Sequence, residues 1–109
     1  MDNPLPKEAV CLASGFPLGM GMAGCTCGAL AGGIMALGLK YGRRVPNVKT
    51  PGMFKAAKKL HDDFHQRFGS TCCRELIKGL ELGSPQHIEL CAKLTGVTAE
   101  MVLRQITQR

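Results

Sequence analysis

With 109 residues, 45% of them hydrophobic, 5% aromatic and none of them tryptophan, the chain has room for a single domain, 1–109, with an aliphatic core, and it is not a disordered polymer. Fourteen Lys and Arg against eight Asp and Glu leave a net charge of +6. The basic residues cluster only at Arg43-Arg44 and at Lys55, Lys58 and Lys59, with Asp62-Asp63 close behind, so a solvated basic face is expected and a nucleic-acid partner is not.

The start, Met1 to Lys7, shows no basic segment followed by an apolar one, so no secretory signal is expected and the chain is assigned to the cytoplasm. In a reducing compartment its six cysteines are expected as ligands, catalysts or small buried side chains rather than as three disulfides. Ala9 to Leu39 carries no charge, but Gly, Ala, Ser and Cys dominate it and Pro17 interrupts it, so a membrane span is not expected.

In chain order, Pro6 to Ala13 reads as a short helix broken at Gly15-Phe16-Pro17, and Leu18 to Gly24 as a glycine–methionine loop. Thr26 is the expected N-cap of a glycine-rich central helix running to Tyr41, with Gly42 at the C′ position. Gly24, Gly28 and Gly32 form a small-residue ladder on it, a face suited to close backbone approach and to a homodimer contact. After a linker, Thr50-Pro51 opens an amphipathic helix on Met53, Ala57, Leu60, Phe64 and Phe68, stopped by Gly69. Ser70 is expected to cap a helix presenting Cys73, Leu76, Ile77 and Leu80 on one face. Ser84-Pro85 opens another through Leu94, with Ile88, Cys91 and Ala92 grouped and Gly96 closing it. Thr98 then starts a last helix burying Met101, Val102 and Ile106. No strand pattern competes, and the fold class is a small all-α bundle of about five helices around the glycine-rich one.

The thiols carry the chemistry. Cys27 and Cys73 each fall at a helix start, where free backbone N–H groups and the helix dipole are expected to lower a thiol pKa and favour the thiolate that attacks disulfides or binds soft metals. Cys91, mid-helix on an apolar face, is core when taken alone and a ligand candidate as a third member of the set. Cys25 and Cys27 serve one metal only if Cys25 lies off the helix, since two residues on a helix diverge by about 200°. Of the adjacent Cys72 and Cys73, one is expected to be structural, while Cys11 is open to both core and ligand readings. No C-x-x-C pair points to a thioredoxin-like dithiol or a zinc ribbon. His61 and His65, one turn apart around Asp62-Asp63, read as a solvated edge without a third ligand.

Leu12 to Phe16, Cys27-Gly28-Ala29-Leu30-Ala31-Gly32 with Ile34 to Gly42, Phe68-Gly69-Ser70 with Cys73-Arg74-Glu75-Leu76, and the trailing Cys91 resemble the C_GCAxxG_C_C family, named as redox-active, over roughly residues 9 to 95. The family pattern has four cysteines, and a related domain in split-Soret cytochrome c is associated with an iron–sulfur centre. The resemblance therefore implies redox activity or cluster binding. It implies that Cys27, Cys73 and Cys91 stand at three of the four motif positions. The family's first cysteine normally lies on an N-terminal helix that this chain is expected to lack, so Cys25 or Cys11 is the candidate for the fourth ligand. The expected function is electron transfer through an iron–sulfur cluster, most simply [2Fe–2S], exchanging electrons with an unidentified donor or acceptor protein. The alternatives are a metal-free protein cycling Cys27 and Cys73 between dithiol and disulfide, and a non-catalytic helical partner domain.

Overall fold

The computed structural model describes residues 11–107. The expected helix Pro6 to Ala13 therefore lies largely outside the described residues, of which Cys11 and Leu12 are helical. Five elements follow: α1 (Pro17–Met20), α2 (Gly28–Tyr41), α3 (Pro51–Phe68), α4 (Cys73–Leu76) and α5 (Pro85–Thr107). The described residues contain no strand, only one antiparallel backbone bridge between Thr26 and Cys72. The fold class is all-α, as expected.

α3 forms where its pattern says it should. Pro51 is its first residue, Ala56, Leu60 and Phe64 make a buried i, i+4, i+8 stripe, and left-handed Gly69 ends it with its N–H on the His65 carbonyl at 2.7 Å. Ala56, not Ala57, is the buried alanine. α2 begins two residues after its expected cap, since Cys27 is the extended residue before the first turn. Gly42 ends α2 in an extended conformation rather than a left-handed one.

Two expectations fail in the C-terminal third. The helix after Ser70 is only the four residues of α4, and a left-handed Gly79 (φ 86°) lies in the turns that follow. The two helices expected around Gly96 are one continuous 23-residue helix, α5. Ser84 caps it, its Oγ accepting the His87 N–H at 3.2 Å. Leu94, Thr98 and Val102 form one buried stripe across the glycine. Burying that stripe outweighs the roughly 1 kcal/mol that glycine costs a helix interior. Thr98 does not cap a new helix because its hydroxyl donates back to the Leu94 carbonyl at 2.7 Å. The buried face also differs from the expected one: Ile88 is exposed while His87 is buried.

α2 lies between α3 and α5, and Leu30 and Leu37 are buried on it. The three helices pack tightly at Gly33, where a Cβ would meet Thr98 Cγ2 at 2.8 Å and Leu60 Cδ2 at 2.9 Å. The expected Gly24/Gly28/Gly32 ladder is not one face. Gly24 precedes α2, an added Cβ on Gly28 would strike the Phe16 carbonyl oxygen at 2.8 Å, and one on Gly32 would meet nothing within 4 Å. At the far end the Tyr41 hydroxyl donates to the Gln105 carbonyl at 3.0 Å, Lys40 Nζ donates to the Ile106 carbonyl, and Gln105 Nε2 donates to the Ala56 carbonyl at 3.1 Å. These bonds tie the ends of α2 and α5 to the start of α3 and leave the thiols at the opposite end. No helix among the described residues is long and apolar enough to cross a membrane.

Candidate functional site

The site is assembled by a loop whose backbone is unusual. Leu18 (φ 57°), Gly19, Met20, Gly21 and Met22 all have positive φ, making α1 a left-handed turn. Non-glycine residues pay roughly 1–2 kcal/mol each for that conformation. The turn is closed by the Met20 N–H on the Phe16 carbonyl (3.1 Å) and returns through Cys25 N–H on Gly19 O (3.1 Å). This presses Gly19 against the site: a Cβ there would lie 2.7 Å from Cys73 Cβ and 2.6 Å from the Cys25 nitrogen.

The loop then pairs with the segment before α4. Cys27 N–H donates to the Thr71 carbonyl at 2.8 Å and Cys73 N–H to the Cys25 carbonyl at 2.5 Å, flanking the Thr26–Cys72 bridge. These two bonds set the backbone of Cys25 beside that of Cys73 and the backbone of Cys27 beside that of Thr71. Cys27 and Cys73 are both buried. Cys91, one turn before buried Leu94, approaches from α5.

Together these three thiols line one cavity of about 670 Å³. Its other walls are apolar, with Phe16 and Leu18 beside the loop, Leu76 and Ile77 after α4, and Val102 and Ile106 along α5. Cys25 and Cys11 are exposed and neither lines the cavity. Cys25 does lie off the helix, as a C-x-C chelate requires, but its thiol is not brought to the other three. Cys72, beside Cys73 in sequence, is also outside the cavity, with its Sγ donating to the Gly24 carbonyl at 3.0 Å. All six cysteines are free thiols. Among the described residues no group of three or more His, Cys, Asp or Glu side chains converges tightly enough to hold a metal ion.

The electrostatics correct one expectation. Burial pushes the Cys73 thiol above its ordinary value, and neighbouring Cys27, Cys91 and Cys72 push it the same way. Cys91 is raised by burial and by Cys27. Cys73 is thus held as a thiol rather than activated as a thiolate. α4, with one turn, supplies too little aligned dipole to offset desolvation.

One buried polar group was missed in sequence. His87 is 5% exposed, and its Nδ1 accepts the Gly83 N–H at 2.9 Å, so the ring proton sits on Nε2, which has no partner among the described residues. The signal was its place four residues before Cys91, on the buried side of α5. His61 and His65 are exposed, their rings stacked at 6.4 Å, with Lys58–Asp62 and Lys59–Asp63 ion pairs alongside, an arrangement that fits a solvated edge.

A protein-family model described as "Putative redox-active protein (C_GCAxxG_C_C)" matches residues 2–105 of the chain. Comparison with curated proteins and with solved structures returns no match.

Proposed function

This chain belongs to the C_GCAxxG_C_C family of redox-active proteins, and from that premise we propose that its cavity thiols, Cys27, Cys73 and Cys91, hold an iron–sulfur cluster used for electron transfer. The observation that carries the reading is the convergence of three free thiols, from three separate elements, on the wall of one apolar cavity. Thiolates are the usual ligands of iron–sulfur clusters, so the donor chemistry fits. The number and spacing fit only in part. The three thiols must draw together on binding, and the fourth ligand, Cys25 or Cys11, must move in from an exposed position. When bound, the cluster would supply one-electron chemistry.

The chain's own residues contribute position and an apolar setting. The Thr26–Cys72 bridge joins the segments carrying Cys27 and Cys73, and Phe16, Leu18 and Leu76 give the cavity apolar walls. We further propose an unidentified protein as electron partner, and association of the chain as a homodimer.

Anaerobic purification, a visible absorption spectrum and iron and sulfide analysis test the reading. A coloured protein with bound iron and sulfide is expected. A colourless, iron-free protein after anaerobic reconstitution overturns the cluster and leaves the thiols to disulfide chemistry.

A further inference from the structure

The cavity extends well past its three thiols, running between α2 and α5 as far as Ile106. We propose that this extension binds an uncharged, lipophilic electron carrier of the quinone class, seated between α2 and α5 with its ring towards the thiols. The inference rests on the redox reading of Cys27, Cys73 and Cys91, but not on which centre they carry.

Size and chemistry both select that class. A cavity of about 670 Å³ falls within the range of small-molecule sites, roughly 300–1,000 Å³. One fifth of the chain is charged, yet among the described residues no charged side chain lines the cavity. Its two hydroxyls are occupied, since Thr95 Oγ1 donates to the Cys91 carbonyl at 2.9 Å and Thr98 Oγ1 to the Leu94 carbonyl at 2.7 Å. A carrier bearing phosphates, such as a flavin or nicotinamide nucleotide, would lose its hydration there and meet no cationic side chain among the described residues. An uncharged quinone loses little, and the apolar walls gain what its ring and tail bury.

The shape is kept open by residues too small to fill it. Gly32 lines the cavity, and a Cβ there would meet nothing within 4 Å. Ala36 and Ala99 extend the same narrow surface on the two facing helices. Leu103, 58% exposed, stands where the cavity reaches solvent and gives it an apolar mouth.

The probe is decylubiquinone, added to the full chain under anaerobic conditions and followed through the methyl NMR signals of Ala99, Val102, Leu103 and Ile106. Saturable shifts with one quinone per chain are expected, and none with flavin mononucleotide. Gly32→Leu, which fills the floor of the cavity while improving helix propensity, should weaken binding at least tenfold without lowering the melting temperature. Ala99→Phe, at an exposed position on the rim, should do the same. Absence of saturable shifts, equal binding by both variants, or shifts that follow protein concentration alone would each overturn the site, the last by assigning the face to a second copy of the chain. The cluster is read separately, by iron, sulfide and colour. A coloured protein that ignores the quinone therefore refutes this inference and leaves the proposed function standing.

Discussion

Gly19 shows how much of the site depends on a residue with no chemistry of its own. Its φ of 70° and the 2.6–2.7 Å approach of the Cys25 nitrogen and Cys73 Cβ leave no room for a side chain. Gly19→Ala should therefore destabilise the protein by about 1–3 kcal/mol in denaturant titration and lower its cluster content. Met22 shares the positive φ but is 70% exposed, so Met22→Gly should relieve strain and raise stability by up to about 1 kcal/mol. At the neighbouring cysteines, Cys72→Ser should leave iron content unchanged, because that thiol serves the Gly24 carbonyl outside the cavity, whereas Cys73→Ser should abolish it. The reverse result would reassign the pair. The pH dependence follows from Cys73 and Cys91. A thiol pKa raised by folding means that the folded state holds its protons to higher pH than the unfolded state, so stability is full below the ordinary thiol value of 9.0 and falls as pH rises through the folded pKa. Metal-free protein should lose stability above that value, and Cys73→Ser should flatten the loss.

Among the elements, α5 departs most from its sequence pattern. Gly96 followed by Thr98 carries the signals of a helix end and a helix start, and locally that reading is sound. The structure overrides it because Leu94, Thr98 and Val102 pack as one stripe over α2. The two arrangements predict opposite effects of one substitution. At a left-handed helix end Gly96→Ala would destabilise the protein. In the continuous helix, where an added Cβ meets nothing within 4 Å, it should stabilise by about 1 kcal/mol, as thermal unfolding would show. Gly33→Ala makes the contrast on α2. Its Cβ would press on Thr98 and Leu60 where three helices meet, and overpacking there should cost about 1–3 kcal/mol.

For the molecule as a whole, the proposed homodimer loses the Gly24/Gly28/Gly32 ladder as a contact face, because Gly28 packs against Phe16 of its own chain and Gly24 lies outside α2. Light scattering over a dilution series tests the association itself: a dimer mass is expected, and a monomer mass at tens of micromolar would reject it. What the sequence determined by itself were features set within a few residues. The all-α class, the limits of α3 from Pro51 and Gly69, and the absence of a helix among the described residues able to span a membrane follow from periodicity, caps and composition. The resemblance to the family motif also singled out Cys27, Cys73 and Cys91, the three cysteines that line the cavity. Only tertiary structure decided the rest. Whether α5 breaks at Gly96, why the Cys73 pKa rises instead of falling, and that His87 is buried all depend on contacts between distant segments. Those contacts are set by burial against α2 and by the pairing of the two cysteine loops, and local propensity carries no record of either.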